Sequence, residues 1–132
     1  MAARILVVDD DELMRELLRL HLCAAGYDVE LAEDAIVAGR ALLKQCPDLV
    51  LADIEMPFMS GLELLEAMKS DPATSSIPLI FVTCRTDAEP QARQLGAVAF
   101  LPKPVRVDDL LATIAQHVKG TRVVRRAALR SV

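Results

Sequence analysis

Four polar residues that could bind a metal ion or a phosphoryl group follow four short apolar runs of the chain. Asp9, Asp53 and Thr83 each come directly after such a run, and Lys103 stands two residues beyond the fourth. Runs this apolar are typical of strands buried in a parallel sheet. In open sheets of that kind, ligands bind beyond the carboxyl ends of the strands. We therefore expect carboxylates, one hydroxyl and one ammonium group to share a pocket.

Acidic residues are concentrated at this expected pocket. Asp9, Asp10 and Asp11 follow the first run, and Asp53 follows the third. Two carboxylates about 4 Å apart repel by about 4 kcal/mol at an effective dielectric constant of 20, so the group requires neutralisation. Either raised, coupled pKa values keep protons on the carboxylates, or a hard divalent cation binds them, Mg²⁺ first and Mn²⁺ second. A structural interpretation stays open, in which these acids form a first helical turn capped by Asp11.

The other polar residues favour the functional interpretation. A lone carboxylate such as Asp53 after a buried strand gains nothing from packing and requires a partner. Lys103 is a candidate partner, because Pro102 and Pro104 place it on a stiff segment that can aim a fixed charge at an anion. The Thr83 hydroxyl can donate to a phosphoryl oxygen. Each residue alone has an ordinary structural explanation, and the combination indicates a site.

Five strand-like runs alternate with five helical segments along the chain. We predict strands near 5–8, 27–31, 49–52, 79–82 and 98–101, and helices that include 13–24, 34–45, 62–68, 90–95 and 108–118. The alternation predicts an α/β fold: a doubly wound, five-stranded parallel sheet with helices on both faces and right-handed crossovers. We expect the apolar side of the first helix to pack inward, with these members at helical spacing: Leu13, Met14, Leu17, Leu18, Leu20, Leu22 and Ala24.

Composition limits the class of protein. A chain of 132 residues with 53% hydrophobic residues can form one domain with a core that needs no disulfide or metal. Aromatic residues make up only 3%, which disfavours base stacking with single-stranded nucleic acid. The three cysteines lack the spacing of a disulfide framework or a zinc site, and no signal peptide or membrane span is evident. These features predict a cytoplasmic protein.

Charge divides the chain into an acidic body and a basic tail. The net charge is −4, and residues 120–132 hold four arginines and no acid, so residues 1–119 carry −8. Apolar periodicity weakens at Gly120, and we therefore predict a domain over 1–119 and a tail or linker start over 120–132. The tail is too short for a helix-turn-helix, and we expect no direct nucleic-acid or membrane partner.

As a set, these residues match a known family over nearly all of 1–119. The chain resembles the receiver domains of two-component response regulators, and is similar to the chemotaxis response regulator. The resemblance rests on Asp9-Asp10 after the first strand, Asp53 with Met56-Pro57 and Gly61, Thr83, and Lys103-Pro104. It implies a flavodoxin-like (βα)5 fold and a phosphorelay signalling domain. Such a domain is not an enzyme beyond weak self-phosphorylation from small donors and self-dephosphorylation.

The resemblance also implies a role for each matched residue. Asp53 is the expected phosphoacceptor, Asp10 and Asp53 are expected magnesium ligands, Asp9 is a ligand through water, and the backbone carbonyl of Glu55 completes the set. Thr83 is expected to bond the phosphoryl group and Lys103 to pair with its oxygens through a segment with a cis Lys103-Pro104 peptide. Phe100 occupies the aromatic switch position. The implied partners are a histidine kinase or histidine phosphotransfer protein, and a downstream protein or an output domain outside this sequence.

Two features depart from the usual family pattern. The segment from Thr83 to Gly96 is about two residues shorter, which predicts a short or displaced fourth helix and leaves dimer formation open. Glu55 and Arg85 each lie two residues beyond a site residue, at the rim where water would approach an acyl phosphate. We hypothesise that they form an ion pair that slows self-dephosphorylation; two independent surface charges are the alternative.

Other classes of protein fit only part of the pattern. A haloacid-dehalogenase-like phosphatase also has a DxD motif after its first strand, here Asp9 and Asp11, but it requires Thr or Val in place of Leu13 and a longer chain. An inactive receiver-like module is disfavoured because acceptor, acids, threonine and lysine are all present. A nucleotide-binding protein is disfavoured because the chain has neither a GxGxxG nor a Walker motif.

Overall fold

A computed structural model describes residues 2–118, which form one five-stranded parallel sheet with helices on both faces. The strand order is β2-β1-β3-β4-β5, the order of flavodoxin-like doubly wound folds. The elements are β1 Arg4–Val8, α1 Glu12–Ala24, β2 Asp28–Ala32, α2 Ala35–Lys44, β3 Leu49–Ala52, α3 Gly61–Ser70, β4 Leu79–Thr83, a 3₁₀ turn Thr86–Ala88, α4 Glu89–Leu95, β5 Ala99–Pro102 and α5 Val107–His117. The predicted fold class is confirmed.

The three central strands are buried on both faces, as their continuous apolar sequences predict. Alternate residues of β1 point to opposite sides of the sheet: Leu6 and Val8 enter the core under α2, α3 and α4, whereas Ile5 and Val7 enter the core under α1 and α5. Burial on two faces explains why these strands lack the polar alternation of a half-exposed strand. No helix within 2–118 is long and apolar enough to cross a membrane.

Helix α1 shows where the prediction of its inward side was wrong. Leu18 and Leu22 are buried, but Leu13, Leu17 and Leu20 are 69%, 44% and 55% exposed, and Ala24 is exposed as well. Only a limited arc of a helix can contact a sheet, and the row at Met14, Leu18 and Leu22 occupies that arc. Leu13, Leu17 and Leu20 lie outside that arc.

The helix ends agree with local sequence signals. Asp34 accepts the Val37 N–H at the start of α2, and Ser60 with Glu63 forms a reciprocal capping box at the start of α3. Helix α4 has only seven residues, as the shortened segment predicted, and it ends at Gly96 with φ +109°. The predicted tail over 120–132 lies outside the described residues.

Candidate acidic site at the carboxyl edge of the sheet

Backbone pairing brings the polar strand ends to one edge of the sheet. The Asp53 N–H donates to the Val8 carbonyl at 3.0 Å, which places Asp53 beside the end of β1. The Lys103 N–H donates to the Thr83 carbonyl at 3.0 Å, which joins the ends of β4 and β5 in the same way. The strand register therefore creates the shared pocket expected from the sequence.

Lys103 bridges two carboxylates at the centre of this site. Its Nζ donates to Asp9 Oδ2 and to Asp53 Oδ2, each at 2.9 Å. All three side chains are largely shielded from water, with exposures of 16% for Lys103, 4% for Asp9 and 10% for Asp53. Lys103 thus supplies one positive charge that the two buried acids share. The sequence analysis suggested Lys103 as a partner for Asp53 but did not foresee that it also binds Asp9.

Asp9, Asp10 and Asp53 form a compact set of oxygen ligands. One carboxylate oxygen from each lies within 4.8 Å of the others, with Asp9 and Asp53 buried and Asp10 exposed. Within 4.8 Å a pair repels by at least about 3.5 kcal/mol at a dielectric constant of 20, whereas each Lys103 contact at 2.9 Å attracts by about 6 kcal/mol. Lys103 therefore offsets a large part of the repulsion among the three carboxylates.

Burial and hydrogen bonding shift the pKa values of Asp9 and Lys103. Burial raises the pKa of Asp9 above its ordinary value, against the lowering effects of the Asp11 N–H and the Lys103 ammonium. Burial lowers the pKa of Lys103, but its hydrogen bonds to Asp53 and Asp9 outweigh that effect and leave this pKa raised. Lys103 therefore stays charged at neutral pH, which suits a group that binds anions.

Hydrogen bonds orient the Asp53 carboxylate within the pocket. Its Oδ1 accepts the N–H groups of Ile54 at 2.6 Å and Glu55 at 3.3 Å, while its Oδ2 accepts from Lys103. An open cavity of about 260 Å³ lies over this carboxylate. Its lining consists of Asp9, Asp10, Asp11, Asp53, Glu55, Thr83, Cys84 and Lys103.

Gly61 belongs to the site because the backbone approaches it closely. A Cβ at this position would collide with the Asp53 carbonyl oxygen and lie 2.8 Å from the Phe81 ring. The Gly61 N–H donates to the Ile54 carbonyl at 2.8 Å, which holds the start of α3 against the loop after β3. A side chain here would displace the backbone that carries Asp53.

Thr83 is buried in the lining of the pocket, and Phe100 is buried in the hydrophobic core. The Thr83 Oγ1 accepts the Arg85 N–H at 3.1 Å, so its own O–H proton can be donated elsewhere. Phe100 packs edge to face on Phe81 with ring centroids 6.4 Å apart. Lys103-Pro104 is a cis peptide.

Asp11 caps α1 by accepting the N–H groups of its first turn, so the structural interpretation holds for this one acid.

The rim of the pocket contains the expected ion pair between Glu55 and Arg85, and its effect on self-dephosphorylation stays a prediction. Arg85 Nε lies 3.9 Å from Glu55 Oε1, but the guanidinium forms its hydrogen bonds with Asp87, at 2.9 and 3.0 Å. Sequence reasoning missed Asp87. The Arg-x-Asp spacing is the available signal. Whether two side chains at that spacing meet depends on the local turn, which here is the 3₁₀ turn that begins at Thr86.

Comparison with known proteins decides the family. The sequence model of one protein family, described as the response regulator receiver domain, matches residues 5–115. The chain belongs to the response regulator receiver domain family. Response regulator MprA of Mycobacterium ulcerans is 36% identical to this receiver domain over 125 residues, which are 93% of this chain and 53% of that protein. The receiver domain spans about half the length of the curated relatives it matches.

Solved structures of receiver domain proteins are similar to this chain in both sequence and fold. The chemotaxis protein CheY4 of Vibrio cholerae is 29% identical, with a TM-score of 0.83 over 89% of this chain and 99% of that chain. A CheY-like receiver domain protein of Methanospirillum hungatei is 34% identical, with a TM-score of 0.81 over 89% of this chain and 94% of that chain. The predicted resemblance to two-component receiver domains and their flavodoxin-like fold is confirmed.

Proposed function

We propose that this receiver domain accepts a phosphoryl group on Asp53 from a phosphohistidine donor in a Mg²⁺-dependent reaction, and that the product switches the surface read by downstream partners. The supporting observation is the arrangement around Asp53. Its carboxylate is held by two backbone N–H groups and Lys103, faces an open cavity, and lies within 4.8 Å of ligand oxygens of Asp9 and Asp10. Membership in the receiver family agrees with this assignment.

The transfer step follows from the groups around Asp53. An Asp53 carboxylate oxygen bonds to phosphorus while the phosphorus–nitrogen bond of the donor breaks. The electron pair of that bond leaves with the imidazole, which takes a proton from solvent. Lys103 moves from carboxylate to phosphoryl oxygens, for which its fixed charge is suited. The oxygen of the Thr83 hydroxyl already accepts the Arg85 N–H, and its O–H donates a hydrogen bond to a phosphoryl oxygen.

The acidic cluster fits a magnesium ion by the chemistry of its donors. The proposed ligands are Asp10 and Asp53 directly, Asp9 through water, and the backbone carbonyl of Glu55. Such a set offers oxygen alone, which suits Mg²⁺ and also Mn²⁺. When bound, the ion neutralises charge on the transferring group.

The signal follows from the added charge. An acyl phosphate brings negative charge and new acceptor oxygens, and Thr83 and Phe100 are the proposed residues that respond and change the faces seen by partners. We propose a histidine kinase or histidine phosphotransfer protein as donor. The signal is read by a downstream protein or by an output domain. We propose a receiver domain over 1–119, with 120–132 as a basic tail or the start of a linker.

Intact-mass measurement after incubation with phosphoramidate and magnesium tests the proposal. We expect the parent to gain one phosphoryl group and Asp53→Asn to gain none. Asp28→Asn is the matched control, because Asp28 is exposed at the opposite edge of the sheet, and this variant should behave like the parent. Chelation of magnesium should abolish the gain.

Two results would contradict this function. A phosphoryl group on Asp53→Asn would place the acceptor elsewhere, and transfer that is unaffected by the chelator would remove the role of the acidic cluster. The same assay with a phosphorylated histidine phosphotransfer protein tests the donor class. Uptake from phosphoramidate but from no phosphohistidine protein would limit the proposal to small donors.

A further inference from the structure

Asp87 holds the guanidinium of Arg85 beside the acidic pocket. Asp87 Oδ1 accepts from Arg85 Nε at 2.9 Å, and Oδ2 accepts from a terminal guanidinium nitrogen at 3.0 Å. Glu55 Oε1 lies 3.9 Å from the same Nε. A two-point hydrogen bond fixes the planar guanidinium in both distance and angle. Asp87, rather than Glu55, therefore determines where the Arg85 side chain lies.

The charges of the pair agree with this geometry. The hydrogen bond to Asp87 raises the pKa of Arg85, and the same hydrogen bond lowers the pKa of the Asp87 carboxyl. Both groups are therefore ionised at neutral pH. Both side chains are also exposed, so a stronger anion nearby can compete with Asp87 for the guanidinium.

Arg85 lies next to the acidic pocket without lining it. Its side chain borders a neighbouring cavity of about 410 Å³, together with Asp10, Glu55 and Ser60, and is absent from the lining of the pocket over Asp53. Its backbone N–H is bonded to Thr83 Oγ1, which anchors the residue beside the pocket. The Arg85 side chain thus borders a cavity that adjoins the pocket over Asp53 through the shared lining residues Asp10 and Glu55.

We propose that Asp87 is a positioning residue that keeps Arg85 away from the mouth of the acidic pocket and leaves the acyl phosphate of Asp53 open to water. This inference rests on the proposed function. In hydrolysis, a water oxygen bonds to phosphorus as the bond from phosphorus to the Asp53 oxygen breaks. The electron pair returns to the carboxylate, and the water proton passes to solvent as inorganic phosphate leaves. A guanidinium released from Asp87 is attracted to the phosphoryl oxygens and covers the side from which water arrives.

The half-life of the phosphorylated protein tests this role. Protein is phosphorylated with phosphoramidate and magnesium, the donor is removed, and the loss of the phosphoryl group is followed by intact mass. We expect Asp87→Asn to lengthen the half-life several-fold, and to have no effect in an Arg85→Gln background. Asp87→Glu keeps a carboxylate that can accept two hydrogen bonds, and this variant should have the half-life of the parent.

A matched control separates position from charge. Glu89→Gln removes the same charge by breaking the exposed Arg93–Glu89 pair on α4, and it should leave the half-life unchanged. The inference is overturned by an unchanged or shorter half-life in Asp87→Asn, by lengthening that persists without Arg85, or by equal lengthening in Glu89→Gln. A parent that accepts no phosphoryl group instead refutes the proposed function, and the inference with it.

Discussion

Replacing Lys103 with methionine should destabilise the protein, because it leaves two buried carboxylates without their shared counter-charge. Methionine keeps much of the side-chain volume and removes both 2.9 Å contacts, to Asp9 and Asp53. Each contact attracts by about 6 kcal/mol at a dielectric constant of 20, but the substitution also removes the cost of taking the ammonium group out of water. Breaking a buried pair from one side typically costs about 3 to 5 kcal/mol. Because the cavity over Asp53 is open to solvent, we expect a loss of about 3 kcal/mol.

Urea unfolding at neutral pH measures this loss, first with a chelator and then with magnesium. We expect the free energy of unfolding of Lys103→Met to fall in chelator and to recover more on addition of magnesium than that of the parent does. The ion then replaces the missing charge and does not compete with an ammonium group. At a magnesium concentration about 100 times Kd, binding adds about 2.7 kcal/mol.

Two further variants show whether the loss comes from the site. Lys44→Met removes the same charge from an exposed position on α2, and should change stability by no more than about 0.5 to 1 kcal/mol. Asp9→Asn added to Lys103→Met should restore part of the loss, since it removes one of the uncompensated charges. The reasoning is refuted if Lys103→Met unfolds at the urea midpoint of the parent in chelator, or if magnesium stabilises both proteins equally.

Other predictions concern the backbone, the core and titration. Gly61→Ala should lower the unfolding free energy and reduce phosphoryl uptake together, because its Cβ would collide with the Asp53 carbonyl; normal uptake in urea-stable protein would contradict this. Leu22→Ala should cost about 2 to 5 kcal/mol in urea unfolding, and the exposed Leu17→Ala less than about 1 kcal/mol; equal losses would show that both pack in the core. The pKa of Asp9 is raised in the native protein, so at a pH just above the ordinary pKa the native protein holds a proton that the unfolded chain has lost. The contribution of Asp9 to the free energy of unfolding therefore declines as pH rises from the ordinary pKa through the native pKa. Asp9→Asn should remove that decline, and parallel pH profiles of unfolding free energy for parent and variant would exclude it.

The sequence determined much of the fold and the composition of the site. Continuous apolar runs indicate strands buried on both faces, and parallel strands carry whatever follows them to a common edge. This is sufficient to place Asp9, Asp53, Thr83 and Lys103 in one pocket. The short fourth helix was also predictable, because Gly96 closes a segment that leaves room for few turns.

Tertiary structure alone decided which of several chemically equivalent contacts formed. Leu17 and Leu18 are the same residue type on one helix, and only the face that α1 presents to the sheet buries one and exposes the other. Sequence reasoning paired Arg85 with Glu55 alone, and the turn after β4 gave the two-point contact to Asp87. Sequence periodicity specifies local conformation and the direction of burial, whereas the choice among similar partners depends on distances of a few ångströms that packing sets.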